Sequence, residues 1–231
     1  MNNTIIQDTA VVGLFDILGF RSRIRSAEPS QFVQLLNCLS TMPNESLVGE
    51  EYVGSMQYSD SIVLYGRSGD IDLDIAMVVI SASNLLGRAS KMGFPIRGAL
   101  SLGPMYIDQE NRQILGVPLV DAYDIEQQQD WMGAVIDLRH EERFSSAFAR
   151  SPIPECLVRY PAPLKEGTRR DLLCIGWTFR TDRHMVEDSF SDAEESHEVY
   201  RKLKNTLDFF DACIPTWEAW QRRFGRSDGT S

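Results

Sequence analysis

Apolar residues recur along this chain with two periodicities, and the alternation between them lays out a fold. Val11-Val12-Gly13-Leu14-Phe15 is a continuous apolar run of the kind that forms a buried strand. Within Gln31 to Met42, Phe32, Leu35, Leu36 and Leu39 recur at helical spacing behind a Glu28-Pro29-Ser30 start. Tyr52 to Tyr65 reads as two strands about a tight turn at Tyr58-Ser59-Asp60-Ser61, a hairpin. Asp70 to Met92 opens on an acidic cap, carries Ile75, Val78, Val79, Ala82, Leu85, Leu86 and Ala89 on one face, and stops at Gly93. Ile96 to Gly103 predicts a central strand, and Met105 to Asp108 a short separate one beyond the Gly103-Pro104 break. Val117 to Gln129 is helical with Pro118 at its start, and Ala134 to Leu138 is a strand.

Beyond Pro152 the pattern predicts strands around Leu157–Tyr160 and Leu172–Trp177, then helices from about Ala193 to Ala212 and Trp217 to Phe224. The order strand, helix, hairpin, helix, strand describes an α+β, ferredoxin-like arrangement with additional C-terminal strands and helices. No Pro/Gly/Ser-rich linker divides it. The expectation is one domain over residues 1–231, with a core at about 8–140, an extension at about 150–224 and a disordered tail at 225–231.

One charge interrupts this pattern. Asp16 follows the first apolar run directly, and a carboxylate at the end of a buried strand is costly unless it caps the next helix or meets a cation. Asp60, at the hairpin tip, lies in such a sheet beside the end of the first strand. Two carboxylates facing one small volume call for an ion pair or a divalent cation. A second buried charge is Arg97, inside an otherwise apolar strand; it needs a partner, either an anionic ligand or Asp121 or Glu126.

The net charge of −10 argues against wrapping nucleic acid, so no nucleic-acid partner is expected, and a small anion would need a local cationic site. Cys38, Cys156, Cys174 and Cys213 have no zinc-like spacing and read as buried thiols in a reducing cytoplasm. The N-terminus shows no leader pattern and no run approaches membrane length, so a cytosolic protein without membrane contact is expected. His140, His184 and His197 lie among charged residues and read as surface positions.

The order Phe15-Asp16-Ile17-Leu18-Gly19-Phe20, Tyr58-Ser59-Asp60-Ser61, Ile96-Arg97-Gly98-Ala99 and Gly116-Val117-Pro118-Leu119-Val120-Asp121-Ala122-Tyr123 resembles the catalytic domain of class III nucleotidyl cyclases. Within that class it is most similar to the pyrimidine cyclases of bacterial Pycsar antiphage defence. The resemblance implies two divalent cations, Mn²⁺ or Mg²⁺, held by Asp16, Asp60 and the carbonyl of Ile17. It also implies a nucleoside triphosphate against the backbone N–H groups of the Ile17–Phe20 turn. It further implies a homodimer with sites at its interface, and a cyclic-nucleotide-responsive effector on another protein.

Purine cyclases carry Lys or Glu four residues before the second metal aspartate; here that place is Met56. Tyr52 and Tyr58, on the same strand face by alternation, are candidate readers of a smaller base together with Gln113, or else sheet formers packing in an interface. The Asn and Arg that steady the transition state in those enzymes are replaced by Asp121 and Ile125, leaving Arg97 as the candidate catalytic cation. The implied reaction is UTP to 3′,5′-cyclic UMP and pyrophosphate. The alternatives are CTP to cyclic CMP, or a non-catalytic nucleotide-binding module that keeps the fold.

Overall fold

The computed structural model describes residues 4–149, 151, 153–191 and 196–224. Its elements run β1 (Thr4–Ile17), α1 (Phe20–Ser26), α2 (Pro29–Asn44), β2 (Val53–Tyr58), β3 (Ser61–Gly66), α3 (Ile71–Lys91), β4 (Ile96–Asp108), β5 (Gln113–Gly116), α4 (Val117–Gln128), β6 (Gly133–Ile136), α5 (Glu141–Phe148), β7 (Leu157–Pro163), β8 (Arg169–Ile175), α6 (Arg183–Ser189) and α7 (His197–Phe224). The strands form one mixed sheet in the order β2-β3-β1-β4-β6-β8-β7, with β5 folded back on the far end of β4. Within it β4-β1-β3-β2 is the expected ferredoxin-like unit. It is extended through β6, which runs parallel to β4, to the β7–β8 hairpin.

Local chemistry accounts for the boundaries. The Asp70 carboxylate accepts from the backbone N–H groups of Asp72 and Leu73, capping α3. Buried Asp74 then closes the turn before it, accepting from the backbone N–H groups of Arg67 and Ser68 and from the Ser68 hydroxyl. Gly66 must lack a side chain, since a Cβ there would lie 2.5 Å from Asp74.

The break expected at Gly103-Pro104 does not occur, and β4 runs unbroken from Ile96 to Asp108. The pairing with β1 shifts register between Gln7 and Ala10, opposite Met105 and Gly103, so Pro104 falls at the irregularity where no ladder bond is required of it. The two expected C-terminal helices are likewise one, α7, continuous through Pro215. Its anchor is Phe209, fully buried, with ring centroids 4.8 Å from Trp131 and 4.9 Å from Tyr160. The expected tail at 225–231, the start of the C-terminal helix at Ala193, and the side-chain packing of Trp217, Trp220 and Phe224 lie outside the described residues.

This aromatic cluster joins α7, β7 and the loop before β6, so the extension shares its core with the sheet. Phe209→Ala is expected to cost about 3–5 kcal/mol. Calorimetry should show one cooperative transition at lower Tm; two separate transitions would mean the extension folds independently.

Candidate active site

Strand pairing fixes which side chains share a face. Asp16 stands opposite Ser61 of β3 and opposite Arg97 of β4, and directly paired antiparallel residues project to the same side. Continuing the pairings, Leu14, Val63, Met56 and Tyr58 project to that side as well. Gly66 has the opposite parity and abuts Asp74, which places α3 on the other face. The face of Asp16 is met by α4, whose buried stripe Pro118, Ala122 and Glu126 repeats every four residues.

The backbone brings the two aspartates together. β2 and β3 join through a two-residue turn, Ser59 and Asp60, with Ser59 in the left-handed region at φ 56°. The carbonyl of Asp60 accepts from the Ile17 N–H at 3.2 Å, tying the hairpin tip to the end of β1, while the Leu18 N–H donates to Pro95 O at 2.8 Å. Gly19, at φ 73°, then reverses the chain into α1, where Phe20 is the first residue.

Asp16 is half-buried, and its carboxyl is pushed up to about 6. Burial is the main cause, followed by the charges of Glu126 and Asp60; Arg97 and a hydrogen bond from Ser61 oppose the shift. Glu126, a third carboxylate beside Asp16, was not singled out by sequence reasoning as part of this cluster. The Pro118-Ala122-Glu126 spacing was the signal that it faces inward.

Arg97 finds its partner inside the chain. Its Nε lies 2.5 Å from Glu126 Oε1 and its Nη1 donates to Gln129 O at 2.6 Å, with the residue 5% exposed. Asp121, the other carboxylate proposed for it, instead meets Arg139 at 2.7 Å, and Arg139 also binds Asp137. A cation therefore does stand beside Asp121, supplied by Arg139 from beyond β6.

A cavity of about 710 Å³ opens beside Ser61, and Tyr58 and Gln113 both line it, with Leu14, Val63 and Tyr123. The Tyr58 hydroxyl donates to the Arg112 carbonyl and stands 3.4 Å from the Met56 sulfur. Met56 itself is buried. Tyr52 is not brought to this cluster. It precedes Val53, which pairs with Gly66 at the end of β2 remote from the Tyr58–Ser61 pair, and it rests half-buried against the core.

Asp16, Asp60 and the Ile17 carbonyl offer only hard oxygen donors, and among the described residues the excess of carboxylate charge around Asp16 is offset by one buried cation, Arg97. That donor set fits Mg²⁺ or Mn²⁺ with the remaining positions filled by phosphate and water. Among the described residues no group of three or more His, Cys, Asp or Glu forms an all-protein cage. Nor is any described helix long and apolar enough to cross a membrane.

The raised Asp16 carboxyl has a stability consequence. A group that binds protons more tightly in the folded chain destabilises it above the folded value, about 6, and the penalty is relieved as pH falls toward the ordinary value of 3.8. The shift corresponds to about 3 kcal/mol, which solvent screening at this half-exposed site reduces to the order of 1–2 kcal/mol. Asp16→Asn should therefore stabilise the metal-free protein by about 1–2 kcal/mol at pH 7.5 and by nothing below pH 4, read from urea unfolding in chelator.

No family model matches the chain, and no curated protein matches it either. Solved structures do. The catalytic core of a rhodopsin-guanylyl cyclase with converted specificity, in complex with ATPαS, superposes with a TM-score of 0.55 at 15% identity, over 75% of this chain and 98% of that one. The adenylyl cyclase CyaB from P. aeruginosa gives 0.51 at 14% identity over 75% and 95%. The non-canonical dimeric guanylyl cyclase domain of the RhoGC fusion protein from the aquatic fungus Blastocladiella emersonii gives 0.52 at 16% over 76% and 98%. The chain has the α+β fold of a class III nucleotidyl cyclase catalytic domain.

Proposed function

We propose that this protein is a pyrimidine nucleotide cyclase that converts UTP to 3′,5′-cyclic UMP and pyrophosphate, a second-messenger synthase whose product is read by an effector on another protein in antiphage defence. The observation that carries the reading is the convergence of Asp16 and Asp60 at the sheet end, tied by the Ile17–Asp60 backbone bond. In the reaction the 3′-oxygen forms a bond to the α-phosphorus, the bond to the bridging oxygen breaks, and the hydroxyl proton is lost as pyrophosphate departs. Divalent cations bound by Asp16, Asp60 and the Ile17 carbonyl would supply acidity at the hydroxyl and neutralise the triphosphate.

The protein's own groups orient the substrate. The turn through Gly19 to Phe20 has spent the Ile17 and Leu18 N–H groups on Asp60 and Pro95, so the first turn of α1 is what it offers the phosphates. Arg97 is the cross-strand neighbour of Asp16 in the same subunit and is held by Glu126 at Nε and by the Gln129 carbonyl at Nη1, so in this reading it acts as a positioning residue. The base is read by Tyr58 and Gln113 on the wall of the 710 Å³ cavity, next to a Met56 with no charged head to address a purine. A Gln amide both donates and accepts, as the edge of uracil does.

Dimerisation follows from the outer surface of the same region. Leu115, Val117, Val120 and Tyr123 are each more than half exposed and form one apolar stripe over β5 and α4. We assign it to a second copy of the chain, which would close the open cavity. The non-catalytic alternative draws support from Arg97, whose charge is already paired with Glu126 within the subunit.

The test is product analysis by mass after incubation with each of the four ribonucleotides and Mn²⁺ or Mg²⁺. UTP is expected to be cyclised roughly 100-fold faster than ATP or GTP, a difference of about 2.7 kcal/mol between transition states. Asp16→Asn and Asp60→Asn should each abolish turnover, and no product from any nucleotide would favour the binding module. Tyr58→Ala and Gln113→Ala should erode base preference while Tyr52→Ala leaves it unchanged; ATP or GTP as best substrate would refute the pyrimidine assignment. Light scattering should give a dimer that Val120→Glu dissociates, with activity lost in parallel.

A further inference from the structure

The face of the sheet opposite Asp16 carries a second cavity, polar in its lining and of about 720 Å³, between the last turn of α3, the end of α2 and the short helical turn Thr178–Arg180. Glu45, Ser46, Asn84, Arg88, Lys91 and Arg180 supply its polar lining. A smaller cavity of about 510 Å³ adjoins it, and the two share Lys91, Phe179 and Arg180. Three cations and one carboxylate thus line the larger cavity, in a chain whose net charge is −10.

Helix polarity explains part of this. Arg88 and Lys91 stand in the last turn of α3, where a positive charge is favourable. It does not explain Arg180, which reaches the same space from a different segment. Arg180 Nε donates to Ser83 Oγ at 2.8 Å, and Nη2 meets Cys156 Sγ at 3.7 Å. Its guanidinium lies 4.6 Å from the centroid of the Phe179 ring. Among the described residues no carboxylate pairs with Arg180 or Lys91. Arg88 pairs with Glu45, yet its Nε is buried with no hydrogen-bond partner. A buried donor left unmatched costs on the order of 1–3 kcal/mol, and more when it is charged.

We propose that these cavities form a binding site for a phosphorylated small molecule of nucleotide size, separate from the Asp16–Asp60 site. Guanidinium groups favour the paired oxygens of phosphate, and Lys91 adds a mobile point charge. The shared residues set the phosphate at the junction of the two cavities, with room on either side for the organic part. A ligand here would bridge α2, α3 and the turn at Thr178–Arg180, elements behind the strands that carry Asp16 and Arg97.

Titration calorimetry of the full chain in EDTA, which removes cation-dependent binding at Asp16 and Asp60, tests the site with inorganic phosphate, pyrophosphate, UMP and AMP as probes. A monophosphate nucleotide is expected to bind saturably, at least ~10-fold more tightly than inorganic phosphate. Lys91→Glu, at an exposed position, and Arg88→Gln should each weaken it by ~10-fold or more, and Asp16→Asn should leave it unchanged. Circular dichroism confirms that the variants are folded. No saturable binding, binding indifferent to Lys91→Glu, or binding lost in Asp16→Asn overturns the site. Equal affinity for inorganic phosphate and nucleotide overturns the assignment of an organic moiety.

Discussion

A guanidinium set into the inner face of a sheet has to be matched in charge and in hydrogen bonds, and the match made by Arg97 organises this molecule from its centre outward. Glu126 meets its Nε and so fixes the end of α4 against β4. The Gln129 carbonyl meets Nη1, and the Gln129 amide then bonds Gly98 O at 2.8 Å while its oxygen accepts from the Trp131 indole at 2.9 Å. Trp131 in turn stacks on Tyr160 and receives Phe209 edge-on. One buried charge is thereby connected, bond by bond, to the aromatic cluster that holds the C-terminal extension. The same carboxylate helps lift the Asp16 carboxyl, so the core and the site share a charge balance.

Much of this was legible in sequence because the physics is local. The Val11–Phe15 run, the Ser59-Asp60 turn and the capped stripe of α3 each state their own structure, and their order sets the ferredoxin-like unit. What was not legible depended on partners distant in sequence. The irregularity at Gln7–Ala10 of β1 is what admits Pro104 into an unbroken β4. α7 continues through Pro215, where burial of Phe209 and Cys213 offsets one lost backbone bond. At the site, alternation placed Tyr52 and Tyr58 on one face, but the run of the strand puts them at opposite ends. Asp121 was readable as a departure from the purine-cyclase pattern; Arg139 beside it was not, because the contact spans β6.

The two cavities on opposite faces of the sheet have different chemistry. On the face of Asp16 the cavity is lined mainly by apolar side chains, Leu14, Val63, Ile114, Leu115, Leu119 and Val120. Behind α3 the lining charges are predominantly positive, three cations to one carboxylate. Helix α3, which lines the second of them, is packed on β1 and β3.

The bond from the Tyr58 hydroxyl to the Arg112 carbonyl clasps the tip of the β2–β3 hairpin to the β4–β5 turn, which is itself stiffened where Asp108 accepts from the backbone and side chain of Asn111 at 3.0 and 2.9 Å. Two hairpins that loop design would leave as independent fingers become a closed hoop. The hoop is closed by a side chain, so its span follows the Tyr58 rotamer. One phenol hydroxyl therefore sets how far the two hairpin tips stand apart on the wall of the cavity that Tyr58 and Gln113 line.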